Sequence, residues 1–277
     1  MSIIDFRVRP PYGNYLNFFK EGAGIEKFHH AFQFPISESA KQKSVDLLIK
    51  ELDEAGIVKA VVPGRGFIGV TTEELFELSD KYPGRFIIFP YVNPLEGEKA
   101  LAEVDKWVIN GQGKGVAIEP GLGGPEYDAG FDDERIFPLY EKLEKNHIPI
   151  MITFSGLVGQ YLDNTMPRRI DIVADHFPKL KIILAHGGWP WSKELVTVGF
   201  KRPNVFLAPD FYSTNCVGAD DYREAANNML RDQFLYASSY PLAPIKESVQ
   251  NIKNWKLNPD SEHKVLYANA AKLLGIE

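Results

Sequence analysis

Arg7 and Arg9 stand two residues apart at the end of the first apolar run, Ile3-Ile4-Asp5-Phe6-Arg7-Val8-Arg9-Pro10-Pro11. That spacing puts both guanidinium groups on one face of a strand. Guanidinium stays protonated, has no lone pair for a metal, and presents a planar fork suited to carboxylate or phosphate. A pocket lined by that face reads anions. The alternative is a structural network in which the two cations pair with carboxylates such as Asp5 or Glu119. Polar residues also close the later apolar runs: Arg65, Asn93, Glu119, Thr153 with Ser155, His186, Asp210 and Ser239. His186 lies in Leu184-Ala185-His186-Gly187-Gly188-Trp189-Pro190-Trp191, between an apolar strand and a Gly-Gly turn that opens the backbone to an approaching ligand. An imidazole of pKa ~6.5 can act as a base at neutral pH, although a strand-end histidine is equally at home as hydrogen-bonded structure. The indole of Trp189 could sandwich a planar substrate, whereas Trp191 reads as packing of the next helix on the barrel. Thr153, Ser155 and Ser239 read as hydrogen-bonding wall, because no Gly-x-Ser-x-Gly elbow is present to make a serine nucleophile.

These residues meet only if the chain brings its strand ends together. Short β-rich runs fall at 3–9, 58–64, 86–92, 115–121, 149–155, 181–187, 204–210 and 234–239, each followed by turn residues and helical periodicity. Val45, Leu48, Ile49 and Leu52 recur at helical spacing before Gly56, which predicts a helix over 40–55. Eight strands alternating with helices, with no Gly-x-Gly-x-x-Gly after the first, predict an α/β fold of the (β/α)8 TIM barrel type, a single domain over 1–277. In such a barrel the chemistry sits at the C-terminal ends of the strands. A long aromatic-rich connection, 12–39, follows the first strand and reads as a lid over the pocket or as a packing or subunit interface.

The bulk composition limits the partners. Hydrophobic residues make up 44% and charged residues 25%, ordinary values for a chain that buries a full core. Net charge is −6 with no basic run, which argues against nucleic acid and for a small partner. The single cysteine, Cys216, excludes an internal disulfide framework and fits a reducing compartment. With no signal-like start and no apolar stretch near the ~20 residues a bilayer needs, the expectation is a cytoplasmic protein without membrane contact, free to form a homo-oligomer.

Across nearly its whole length the sequence resembles the amidohydrolase-related family of metal-dependent hydrolases and decarboxylases. The resemblance is carried by Ile4-Asp5, Gly115-Val116 to Pro120, Ile148-Pro149-Ile150, Leu184 to Trp191, Tyr236-Ala237-Ser238-Ser239-Tyr240-Pro241 and Leu266 to Leu274. The family pattern implies a metal held by histidines on the first, fifth and sixth strands and an aspartate on the eighth. Here those positions read Arg7 and Arg9, Thr153, His186 and Ser239. One imidazole beside two fixed cations does not hold a dication, so no cofactor is expected; the alternative is a divalent metal such as zinc at a displaced site of Glu119, His186 and Asp210. The resemblance then implies a metal-independent hydrolase for a small anionic substrate, carboxylate-bearing and cyclic or aromatic, such as a lactone. His186, Asp210 and Arg9 would be catalytic, and Arg7, Arg9, Arg65, Glu119, Thr153, Ser155, Trp189 and Ser239 would bind substrate. A decarboxylase or other carbon-carbon lyase of the same family and a non-catalytic carboxylate-binding pseudoenzyme are the alternatives.

Overall fold

A computed structural model describes residues 2–122 and 130–276. Among the described residues seven strands are laid down in chain order, β1 (Ile3–Asp5), β2 (Ile57–Pro63), β3 (Phe86–Phe89), β4 (Val116–Ile118), β5 (Ile150–Thr153), β6 (Ile182–Ala185) and β7 (Val205–Ala208). They pair in parallel as β1-β2-β3 and β4-β5-β6-β7. Pro90 has no N–H to continue β3, and the two groups are joined instead by the Tyr91–Ala117 bridge, with Ala117 N–H on the Pro90 carbonyl and Val92 N–H on that of Ala117.

The eighth position is filled without a ladder strand. Leu235 N–H bonds the Leu207 carbonyl on one side, while Phe6 N–H reaches Tyr236 and Ser239 N–H reaches Arg7 on the other. Two of its amides go elsewhere: Tyr236 N–H to Val265, and Ser238 N–H to the Asp5 carboxylate at 2.9 Å. The ring is closed, and the chain is a TIM barrel as its sequence predicts.

The first strand is shorter than the expected 3–9. It bends at Phe6, so that Ile4 and Phe6 pack in the barrel interior with Val61, Phe89, Met151 and Ile183, whereas Val8 joins the outer layer. The phase of alternation shifts at that bend and sends Arg7 and Arg9 into the upper barrel. The main cluster lies between the strands and the helices α3 (Val45–Glu54), α4 (Thr72–Lys81), α5 (Glu98–Val104), α6 (Phe137–Lys145), α7 (Pro167–His176) and α8 (Ser192–Lys201). The expected helix at 40–55 begins later: Lys43 takes a left-handed φ of 50°, and the Ser44 hydroxyl caps Leu47 N–H at 3.2 Å.

The 12–39 connection is structured. It contains a 3-10 turn (Gly13–Phe19) and the helices α1 (Ile25–Phe32) and α2 (Glu38–Gln42). Tyr15, Phe19, Phe32 and Phe34 are buried in the core, while Phe18 and Phe28 stay partly buried at its margin. No described helix is long and apolar enough to cross a membrane.

Candidate active site

The strand ends place Arg7, Thr153, His186 and Asp210 in one buried network. Arg7 Nη1 donates to His186 Nε2 at 2.7 Å and to Asp210 Oδ2 at 3.3 Å, and its Nη2 donates to Thr153 Oγ1 at 3.2 Å. His186 Nδ1 faces Asp210 Oδ1 at 3.1 Å and Oδ2 at 2.9 Å. Arginine has no acceptor, so Nε2 carries the lone pair and Nδ1 carries the proton donated to Asp210. Burial, reinforced by Arg7, Arg9 and Arg65, pushes the imidazole well below its ordinary pKa, and the ring is neutral at pH 7. Burial pushes Asp210 up to about 7 against the opposing pull of Arg7 and Arg9.

A second buried pair lies beside the first. Arg65 Nη2 meets Glu119 Oε1 at 2.8 Å, and Thr153 Oγ1 donates to the same oxygen at 3.2 Å. Thr153 thus links the two pairs.

Arg9 stands apart. It is fully buried, and its Nη1 donates to the Ser239 carbonyl at 2.7 Å, the Ser239 hydroxyl at 2.9 Å and the Tyr240 carbonyl at 3.5 Å. Its Nε and Nη2 have no partner, and no described carboxylate forms an ion pair with it. Burial, with Arg7 and Arg65 nearby, holds its pKa well below the usual arginine value. The Phe18 ring lies over both cavity-lining cations, 5.4 Å from the Arg9 guanidinium and 5.8 Å from that of Arg65, and Phe67 lies 4.6 Å from Arg65.

A cavity of about 170 Å³ opens here, lined by Arg9, Arg65, Thr153, Ser155 and His186 with the rings of Phe18, Phe28, Phe67, Phe211 and Tyr212. Other expected site residues lie off its wall. Arg7 sits behind His186, and Glu119 and Asp210 hold the arginines; the guanidinium of Arg7 is paired with Asp210, and Asp5 instead accepts the backbone N–H groups of Arg7 and Ser238. Ser239 holds Arg9. Trp189 stacks on Tyr212 at 4.8 Å and donates to the Val217 carbonyl, while Trp191 packs against the core. Asn93 caps Leu95 N–H at 3.2 Å.

The Gly-Gly turn serves the fold. A Cβ on Gly188 would come 1.7 Å from Leu195, and one on Gly187 2.8 Å from the Pro209 backbone, so the protein itself fills the space expected for a ligand. Left-handed backbone recurs at the non-glycine site residues His186 (φ 70°), Asp210 (φ 47°) and Ser239 (φ 59°), which turns each side chain off its strand end.

The sequence reading missed Phe67, Phe211 and Tyr212. Phe67 follows Arg65 by two and Phe211-Tyr212 follow Asp210 directly, so proximity to a polar strand end was the available signal.

The donor set does not fit a divalent ion. The Nε2 lone pair of His186 is taken by a cation, both Asp210 oxygens face Arg7 or His186, and Glu119 is bound to Arg65. Among the described residues, no three His, Cys, Asp or Glu side chains are grouped to hold a metal. Zinc at Glu119, His186 and Asp210 would have to displace two arginines.

Comparison with solved structures extends the picture. An uncharacterised TIM-barrel protein of Bordetella bronchiseptica is 32% identical over 99% of both chains, with a TM-score of 0.94. The fold is shared with 2,6-dihydroxybenzoate decarboxylase from Rhizobium, 14% identical with a TM-score of 0.72 over 99% of each chain. It is shared also with 5-carboxyvanillate decarboxylase from Sphingomonas paucimobilis, 16% identical with a TM-score of 0.70, covering 100% of this chain and 99% of that one. No curated protein matches the chain. The amidohydrolase family model matches residues 23–276, nearly the whole barrel, and the chain belongs to that family.

Proposed function

We propose that this amidohydrolase-family chain is a metal-independent hydrolase of small carboxylate-bearing substrates, cyclic or aromatic, such as a lactone. The observation that carries the reading is Arg9, a fully buried cation with no carboxylate partner and two free donors, on the wall of a cavity otherwise largely apolar. Such a cation is stabilised by an anion that arrives with the substrate.

Arg9 takes the substrate carboxylate. Arg65, which also lines the cavity and has an unpartnered Nε–H, polarises the scissile carbonyl, and its attraction grows as negative charge builds on that oxygen. His186 receives the proton of the attacking water when Nε2 exchanges Arg7 for that water. Asp210, on Nδ1, holds the productive tautomer and stabilises the imidazolium that forms. Both Asp210 oxygens are engaged, which favours this orienting role over that of base. Arg7 and Glu119 keep the network in register.

The fold shared with decarboxylases of aromatic acids, together with the aromatic walls, favours decarboxylation as the second reading. Two points weigh against it. A guanidinium on the departing carboxylate holds the charged ground state more tightly than neutral carbon dioxide. No carboxylic acid lines the cavity among the described residues to protonate a ring carbon.

Product analysis tests the proposal. Incubation with carboxylated lactones and phenolic acids should yield ring-opened acid without carbon dioxide. Released carbon dioxide would replace hydrolysis with decarboxylation, and saturable binding of these acids without turnover would leave a binding protein.

A further inference from the structure

We propose that the cavity is built for a monoanion: a single-ring acid or lactone whose one carboxylate sits bidentate on the Nε–Nη2 edge of Arg9, its ring against Phe18, Phe28 and Phe211. The proposal rests on the carboxylate-hydrolysing reading above and narrows its substrate class.

Charge balance is the first support. Three guanidiniums, Arg7, Arg9 and Arg65, face two carboxylates, Asp210 and Glu119, each already paired to one of them. His186 is neutral. One positive charge is left uncompensated, and it belongs to Arg9. Any ionised fraction of the nearby buried Asp5 lowers the balance further, so the site holds no second uncompensated cation for another anionic group.

Donor geometry is the second. Nη1 of Arg9 is committed to Ser239 and Tyr240, and the two donors left over, Nε and Nη2, lie on the same edge of the guanidinium. That edge seats both oxygens of one carboxylate in parallel. Arg65 cannot repeat this, because its Nη2 is held by Glu119.

Size is the third. A volume of about 170 Å³ is close to that of a protein cavity, ~150 Å³, that holds one benzene ring. A second fused ring would have to extend beyond the cavity into its open mouth.

The reaction then carries its own release step. Water oxygen bonds to the acyl carbon, the acyl C–O bond of the lactone breaks, the ring oxygen keeps a proton as a hydroxyl, and the new acid ionises with loss of one proton to solvent. A monoanionic substrate becomes a dianionic product, and the added carboxylate meets only Arg65, whose charge Glu119 already balances.

Calorimetric titration of the intact protein at pH 7.5 with benzoate, benzamide, phthalate, isophthalate and terephthalate tests the inference. Benzoate should bind at least ~10-fold more tightly than benzamide and than each dicarboxylate. Arg9→Met should weaken benzoate by at least ~10-fold and leave benzamide unchanged. A dicarboxylate that binds more tightly than benzoate overturns the monoanion assignment while leaving a carboxylate site in place. Failure of all the acids to bind wild-type protein removes the carboxylate site itself, and with it the proposed function.

Discussion

Replacing Arg7 and Arg9 by methionine, one at a time, should produce opposite stability effects. Both side chains are buried, at 1% and 0% exposure, yet their partners differ. Arg7→Met leaves the fully buried Asp210 without its cation and His186 Nε2 without its donor. Removing one member of a buried ion pair costs on the order of 3–5 kcal/mol. The loss should be largest near pH 8, where Asp210 must be ionised, and should shrink below its already raised pKa of about 7 as the carboxyl protonates. Arg9→Met orphans the Ser239 carbonyl, a cost of ~1–3 kcal/mol. It also removes an unpaired, desolvated cation, which offsets a comparable amount. The net change should stay within ~2 kcal/mol of zero. Urea unfolding at pH 6 and pH 8, followed by tryptophan fluorescence, measures both. A loss above ~3 kcal/mol for Arg9→Met, with Arg7→Met near neutral, would refute the assignment of Arg7 as the structural ion and Arg9 as the free one.

Asp5→Asn should flatten the pH dependence of stability. Burial raises Asp5 to about 7, so its favourable protonated form contributes fully below the unfolded value near 3.8 and is lost as pH rises through about 7. The variant should match wild type near pH 4 and exceed it at pH 8 by up to roughly 4 kcal/mol; an unchanged slope would show that Asp5 does not titrate in that range. With His186 held well below its usual pKa, the acid limb of the kcat/KM profile should lie below the ordinary imidazole range, and a limb at ~6.5 would contradict the neutral, cation-flanked ring. Asp210→Asn should lower kcat by roughly 10²–10⁴-fold with a smaller change in KM, and an unchanged kcat would remove the orienting role. Phe18→Ala, which uncovers the guanidiniums of Arg9 and Arg65, should raise KM about 5- to 20-fold; an unaltered KM would place Phe18 outside the binding wall.

The barrel and its ring of polar strand ends could be read from alternation and spacing, because period-two apolar runs and helical stripes are local signals. Which carboxylate holds Arg7 could not. The bend at Phe6 shifts the phase of the first strand, and the partner of Arg7 turned out to be Asp210, 203 residues away. The eighth position was located correctly as a segment, yet its amides bond Asp5 and Val265, a tertiary substitution that no local propensity encodes. The Gly-Gly turn misled for a related reason: the pattern announces a close approach without saying whether ligand or protein makes it, and Leu195 and Pro209 make it here. The aromatic stretch at 12–39 divided between both of its readings, with Phe18 and Phe28 at the cavity and Tyr15, Phe19, Phe32 and Phe34 in the core.

In the proposed hydrolase, fixed guanidinium charge replaces a metal at this site. The most direct test is turnover of a carboxylated lactone by protein of measured metal content, before and after exhaustive chelation. Ring opening at an unchanged rate is expected in metal-depleted protein. Activity that disappears with the chelator and returns with zinc or manganese would contradict it.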